Sequence, residues 1–99
     1  MSLRSVRAQL RLIRTESGGR QGPILSGYRS LVRFEGDPRD FGFELKLEGS
    51  ALAPGGEATG VLSFWDVDAL PPLSPGRRFE VREGARVVGT GIVSEGTPR

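Results

Sequence analysis

Apolar residues recur at every second position along much of this chain, the spacing that sends alternate side chains to opposite faces of a strand. Val6, Ala8, Leu10 and Leu12 alternate with Arg7, Gln9 and Arg11, predicting a first strand with one apolar and one polar face. Phe41, Phe43, Leu45 and Leu47 alternate with Gly42, Glu44, Lys46 and Glu48, and Phe79 and Val81 alternate with Glu80 and Arg82. The runs Val61–Trp65 and Val87–Val93 carry adjacent apolar residues. They are expected to be covered on both faces or bent by glycine. Tyr28–Phe34 is a sixth, less regular candidate. Val6, Leu10, Phe43, Leu45, Val61, Phe79 and Val81 are expected in the core.

Turn residues separate these runs. Ser17–Pro23 reads as a loop, Glu35-Gly36-Asp37-Pro38 as a turn and Ala53-Pro54-Gly55-Gly56 as another. Pro71, Pro72 and Pro75 forbid a strand or helix between Asp66 and Gly76. Glu83-Gly84 suits a tight hairpin in which the glycine takes positive φ. No stretch supports a ten-residue helix. The expected fold is therefore all-β, a single six-stranded antiparallel closed barrel, because closure also removes exposed strand edges. One domain spans 1–99, with its core over about 6–93 and a frayed end at 96–99.

Composition narrows the chemistry. The chain has 99 residues, 15 of them glycine and 7 proline, and neither cysteine nor histidine. Disulfides, thiolate nucleophiles and cysteine-type metal sites are thereby excluded, and the commonest general base is lost. A non-enzyme with no cofactor and no metal site is the expectation. No apolar run approaches the length of a membrane span, and Met1–Ser5 lacks a signal-peptide core, so a cytoplasmic protein without membrane association is expected.

Charge is balanced in total but not along the chain. Residues 1–33 hold seven arginines against Glu16, a net of +6. Residues 34–75 hold eight acids against Arg39 and Lys46, a net of −6, and residues 76–99 hold five arginines against three acids, a net of +2. Thirteen of the 14 basic residues are arginine, whose planar fork suits phosphate or carboxylate. The pairs Asp66/Asp68 and Asp37/Asp40 are the one catalytic or cation-holding device left, and solvated loop carboxylates are their default reading. Gly84 and Gly89 have P-loop spacing, but Thr90 stands where the phosphate-binding lysine must be. Gly89-Thr90-Gly91 is read instead as a bend in a barrel wall.

The segment Arg77–Val93, containing Arg82-Glu83-Gly84-Ala85-Arg86 and Gly89-Thr90-Gly91, resembles the closing pattern R-F-x-x-R-E-G-G-R-T-V-G-x-G-x-V of the C-terminal (third) domain of elongation factor Tu. Gly18-Gly19-Arg20 with Pro23, then Gly27-Tyr28-Arg29, is similar to that family's G-G-R-x-x-P…G-Y-R segment, and Pro54-Gly55 resembles its P-G-D turn. The three matches come in the family's order and cover about residues 6–93. The resemblance implies a six-stranded antiparallel barrel that, in the family, contacts the T-stem backbone of aminoacyl-tRNA and takes part in exchange-factor binding. It assigns Arg82, Glu83 and Gly84, with Arg86 in the same motif, to the hairpin that lies on tRNA, and Arg29 to the position after the motif tyrosine. Ser30-Leu31, Ala69 and Ala85 depart from the pattern, and the acidic turn Glu35–Asp40 replaces a threonine-rich one. The family's GTPase domain has no counterpart here, so no nucleotide cofactor is expected. The implied function is a non-catalytic, translation-associated binding module whose partner is tRNA or a translation-related protein. The alternative is a repurposed barrel acting as a protein-protein adaptor without RNA binding.

Overall fold

The structure, a computed structural model, describes residues 4–65 and 67–96. Eight strands follow in order: β1 (Arg4–Leu12), β2 (Ile24–Leu25), β3 (Arg29–Phe34), β4 (Phe41–Leu47), β5 (Ala51–Leu52), β6 (Glu57–Phe64), β7 (Arg78–Glu83) and β8 (Arg86–Gly96). Six of them close an antiparallel barrel in the order β1-β6-β4-β3-β7-β8, with β8 returning to β1. The expected all-β barrel is therefore present. The two shortest strands, β2 and β5, pair with each other as a separate ribbon that alternation was too short to reveal. Only three-residue 3-10 turns interrupt the strands, at Thr15–Ser17 and Val67–Ala69.

Alternation sets which side chains go inside. Val6, Ala8, Leu10 and Leu12 are buried while Arg7, Gln9 and Arg11 face out, and β4 repeats the pattern with Phe41, Phe43, Leu45 and Leu47. One expectation needs correction. Val61 is half-buried on the outer face, opposite Arg7 and Lys46, because register places Leu62 and Phe64 inward. Of the two alternatives for Val87–Val93, cover on both faces is not found, and a register shift against β7 next to Gly89 leaves Val88 and Val93 buried, with Thr90 and Ile92 exposed. Of the segment expected to fray, Gly96 ends β8 opposite Val6, and residues 97–99 lie outside the described residues.

An aromatic column fills the barrel. The Phe34 ring lies 5.9 Å from both Phe64 and Phe79 and 6.0 Å from Phe41. Phe43 connects Phe64, at 6.4 Å, to Tyr28, at 6.1 Å. Tilted and edge-on rings at these separations add to the burial of their area. Trp65 stands outside the column, 39% exposed, where core packing was expected. Gly91 makes room for this column: a Cβ there would sit 2.3 Å from Phe79 Cζ and 2.9 Å from the Gln9 carbonyl oxygen. Gly91→Ala is expected to destabilise the protein by about 2–3 kcal/mol, the usual range for overpacking a rigid core. Urea unfolding measures this, and an unchanged midpoint would show that the Phe79 ring has space to move.

The registers give the barrel two unlike ends. One gathers the end of β1, the 13–23 loop, the β2–β5 ribbon, Tyr28 and the β7–β8 turn, since Leu12 pairs with Gly89 and Glu83 with Arg86. The other gathers the 35–40 turn and the connection from β6 to β7, since Phe34 pairs with Phe79 and Arg4 with Phe64.

Candidate binding surface at the hairpin end

Three sequence segments far apart in the chain meet at the first of these ends. The two-residue turn Gly84-Ala85 joins β7 to β8, with Gly84 at φ +63°. Positive φ at the first central residue and not at the second is the pattern of a type II′ hairpin, which matches strand twist. Ala85 takes the second place at no conformational cost, which explains why one glycine suffices here. A Cβ on Gly84 would meet nothing within 4 Å, so its backbone faces open space.

Glu83 anchors the hairpin. Its carboxylate accepts a hydrogen bond from Tyr28 Oη at 2.6 Å and pairs with the Arg20 guanidinium, which lies 5.3 Å over the Tyr28 ring. Partial burial pushes the Glu83 carboxyl upward, but the bonds from Tyr28 and Arg20 outweigh it and hold the group below the usual glutamate range. Tyr28 moves the other way, raised by burial and by its bond to Glu83, and stays a protonated donor. Arg86 ties the next residues down: Nε and Nη2 donate to the Gly18 carbonyl at 3.2 and 3.1 Å, and Nη2 also bonds the Gly19 carbonyl. The Gly18–Arg20, Tyr28–Arg29 and Glu83–Arg86 motifs are thus parts of one network that fixes loop and hairpin together.

A depressed carboxyl contributes stability above its unfolded value, and that contribution disappears as pH falls through the folded one. Acidification from pH 7 towards and below the ordinary glutamate range is therefore expected to loosen this end. Glu83→Gln should remove that part of the pH dependence while lowering stability at pH 7. Urea midpoints of both proteins across the pH series measure it, and parallel curves would show that Glu83 carries no such linkage.

The five residues assigned from sequence fare differently. Arg82, Glu83, Gly84 and Arg86 share the hairpin. Arg82, however, has a side chain only 13% exposed, with Nη1 on Glu80 at 2.9 Å, Nη2 on the Ala85 carbonyl at 3.2 Å and Nε 4.0 Å from Asp40. Its two terminal nitrogens serve the hairpin itself, while buried Nε makes no hydrogen bond among the described residues. Arg29 lies on the neighbouring strand, where Leu31 pairs with Arg82, but its exposed guanidinium turns to Glu44 at 3.6 Å and to the Trp65 ring at 5.4 Å. Ser30, a departure from the family pattern, donates its hydroxyl to the Arg82 carbonyl and so braces the same hairpin.

Two residues at this end escaped the sequence reading. Arg14 is exposed, makes no ion pair among the described residues and rests its aliphatic stem on Gly55; nothing in the strand pattern marks it. Arg20 was visible only as part of a motif. The acids are placed favourably: Glu35 and Asp37 sit at the opposite end of the barrel, and Asp40 is held by Arg33 through bonds of 2.8 and 3.2 Å. Arg39 donates to Asp37 from its side chain and backbone, holding that carboxyl at about 2. Asp37 and Asp40 are thus committed to separate arginines rather than to each other. Asp66 of the other carboxylate pair lies outside the described residues.

Among the described residues no group of three or more carboxylates could hold a metal ion, and no helix is long and apolar enough to cross a membrane. The sequence matches no known protein-family model.

Proposed function

We propose that this chain is a non-catalytic binding module that contacts the phosphate backbone of RNA through its hairpin end, in the setting of cytoplasmic translation that its resemblance to elongation factor Tu implies. The observation that carries this reading is the convergence of the three motif segments on one braced surface. There Arg14 makes no ion pair among the described residues, Arg86 adds an exposed guanidinium beside Glu83, and the Gly84 backbone is open to close approach. Arginine guanidinium and an accessible amide are the groups that position a protein on a phosphate chain without reading its sequence. The rigid network supports the reading because a preorganised surface loses less entropy on binding.

A second reading, a protein-protein adaptor, has its own support. Arg7, Arg11, Arg20, Arg29, Arg33, Arg39 and Arg82 each pair with a carboxylate of this same chain, so much of the positive charge is balanced internally. Titrating the protein with tRNA at low and high salt separates the two. Phosphate contacts weaken steeply as counterions compete, whereas an apolar protein interface does not.

A further inference from the structure

The connection from β6 to β7 holds a feature of a different kind at the opposite end of the barrel. Leu70-Pro71-Pro72-Leu73-Ser74-Pro75 contains three prolines, each with φ fixed near −65°, and each residue before a proline is biased to the extended region. The two exposed prolines that flank the buried Leu73 stand three residues apart. Leu73 is buried in the core and Leu70 packs against it, while Pro72 and Pro75 are both exposed. Three residues per turn is the period of a polyproline II helix.

The segment is also pinned. Leu70 N donates to the Val67 carbonyl at 3.3 Å before it, and after it Gly76 N donates to Val93 at 2.7 Å and Val93 N to Arg77 at 2.8 Å. Arg77 N closes a turn on Ser74 at 3.1 Å, with Pro75 first and Gly76, φ +93°, second of the central residues. That is a type II turn, whose first central residue is itself close to polyproline II geometry. The carbonyls of Pro71, Pro72 and Leu73 accept no hydrogen bond among the described residues. Beyond the turn, Arg77 lies over the Phe34 ring at 5.8 Å, whereas Arg78 is exposed and makes no ion pair among the described residues.

We propose that this strap is a docking ridge for a partner protein whose groove is lined by aromatic side chains and flanked by a carboxylate. Pro72 and Pro75 form the P-x-x-P ridge that such grooves grip, the unbonded carbonyls accept from groove donors, and Arg78 supplies the charge that the carboxylate reads. Leu70 and Leu73 hold the ridge in its bound form beforehand, so the order that a free proline-rich peptide must acquire is already present. The surface lies at the start of β7 and the hairpin at its end, about 20 Å away at the usual rise per residue, so both can be occupied together.

The test uses the full chain against a panel of isolated SH3 and WW domains, read by calorimetry and by Trp65 fluorescence. At least one domain is expected to bind, Pro72→Ala/Pro75→Ala together should weaken that binding at least 10-fold, and Arg78→Glu several-fold. Circular dichroism checks that the barrel remains, and Arg78→Glu decides the matter if the proline variant does not fold. Absence of binding across the panel at about 1 mM, or binding indifferent to these changes, would overturn the proposal.

Discussion

Binding of tRNA to this protein should weaken about 40-fold between 50 and 200 mM salt. Three phosphate contacts, from Arg14, from the exposed Arg86 beside its bonds to Gly18 and Gly19, and from Arg29 on exchanging Glu44 for phosphate, give a slope of about −2.7 in log K against log salt, taking the duplex coefficient of about 0.9 per contact. Arg14→Ala is the informative variant, because Arg14 is exposed and makes no ion pair among the described residues. It should lower the slope by about 0.9 and weaken all tRNA species alike, since a phosphate contact carries no sequence information. Arg82→Ala should leave the slope unchanged and instead destabilise the hairpin, because its terminal nitrogens are spent on Glu80 and the Ala85 carbonyl. Binding undetectable at 50 mM salt, or untouched by Arg14→Ala, would remove the RNA reading and leave the adaptor in its place.

Phe34→Ala should be the most damaging substitution in the core. The ring is 1% exposed and touches three other phenylalanines, so its removal costs both transfer energy and the cavity left among rigid neighbours. Large aromatic truncations of this kind cost about 3–5 kcal/mol, against a total stability of about 5–15 kcal/mol for a domain. At roughly 4–8 °C per kcal/mol the melting temperature should fall by at least about 12 °C. Trp65→Ala should lower it far less, because that ring is already 39% exposed and shares its outer face with Arg29. Thermal unfolding of the two variants side by side tests the contrast, and equal losses would mean that the aromatic column is not the centre of the core.

The strands were legible because a half-buried strand imposes a period of two on its residues, and β1, β4 and β7 carry it without interruption. Val61 was misjudged, and Val87–Val93 left open between two alternatives, for the complementary reason. Which of two adjacent apolar residues points inward depends on register and on the irregularity between Val81 and Arg82, neither of which a single strand's sequence contains. Trp65 ends an apolar run expected to be covered on both faces, yet it follows Phe64, which occupies the inward position, so the next residue points outward.

The candidate site divides in the same way. Motif residues Gly18–Arg20, Tyr28 and Arg82–Arg86 could be named from the chain, but not the fact that Glu83 receives both Tyr28 and Arg20. Arg29 and Arg82 were alike as exposed-looking arginines on strands. Only the folded chain shows one turned outward over Trp65 and the other sealed against Glu80.

Local chemistry alone determined the all-β class, the glycine-led hairpin at Gly84, the stiffness of the Leu70–Pro75 strap and the absence of cysteine and histidine chemistry. These follow from the φ/ψ range, side-chain period and functional groups of individual residues. The tertiary structure decided which arginines remain available, that Glu35 and Asp37 sit at the end of the barrel opposite the hairpin turn, and that Pro72 and Pro75 face solvent while Leu73 does not. Those outcomes depend on barrel closure, which brings residues more than 60 positions apart, such as Gly18 and Arg86, within hydrogen-bonding distance, and no local pattern encodes such a distance.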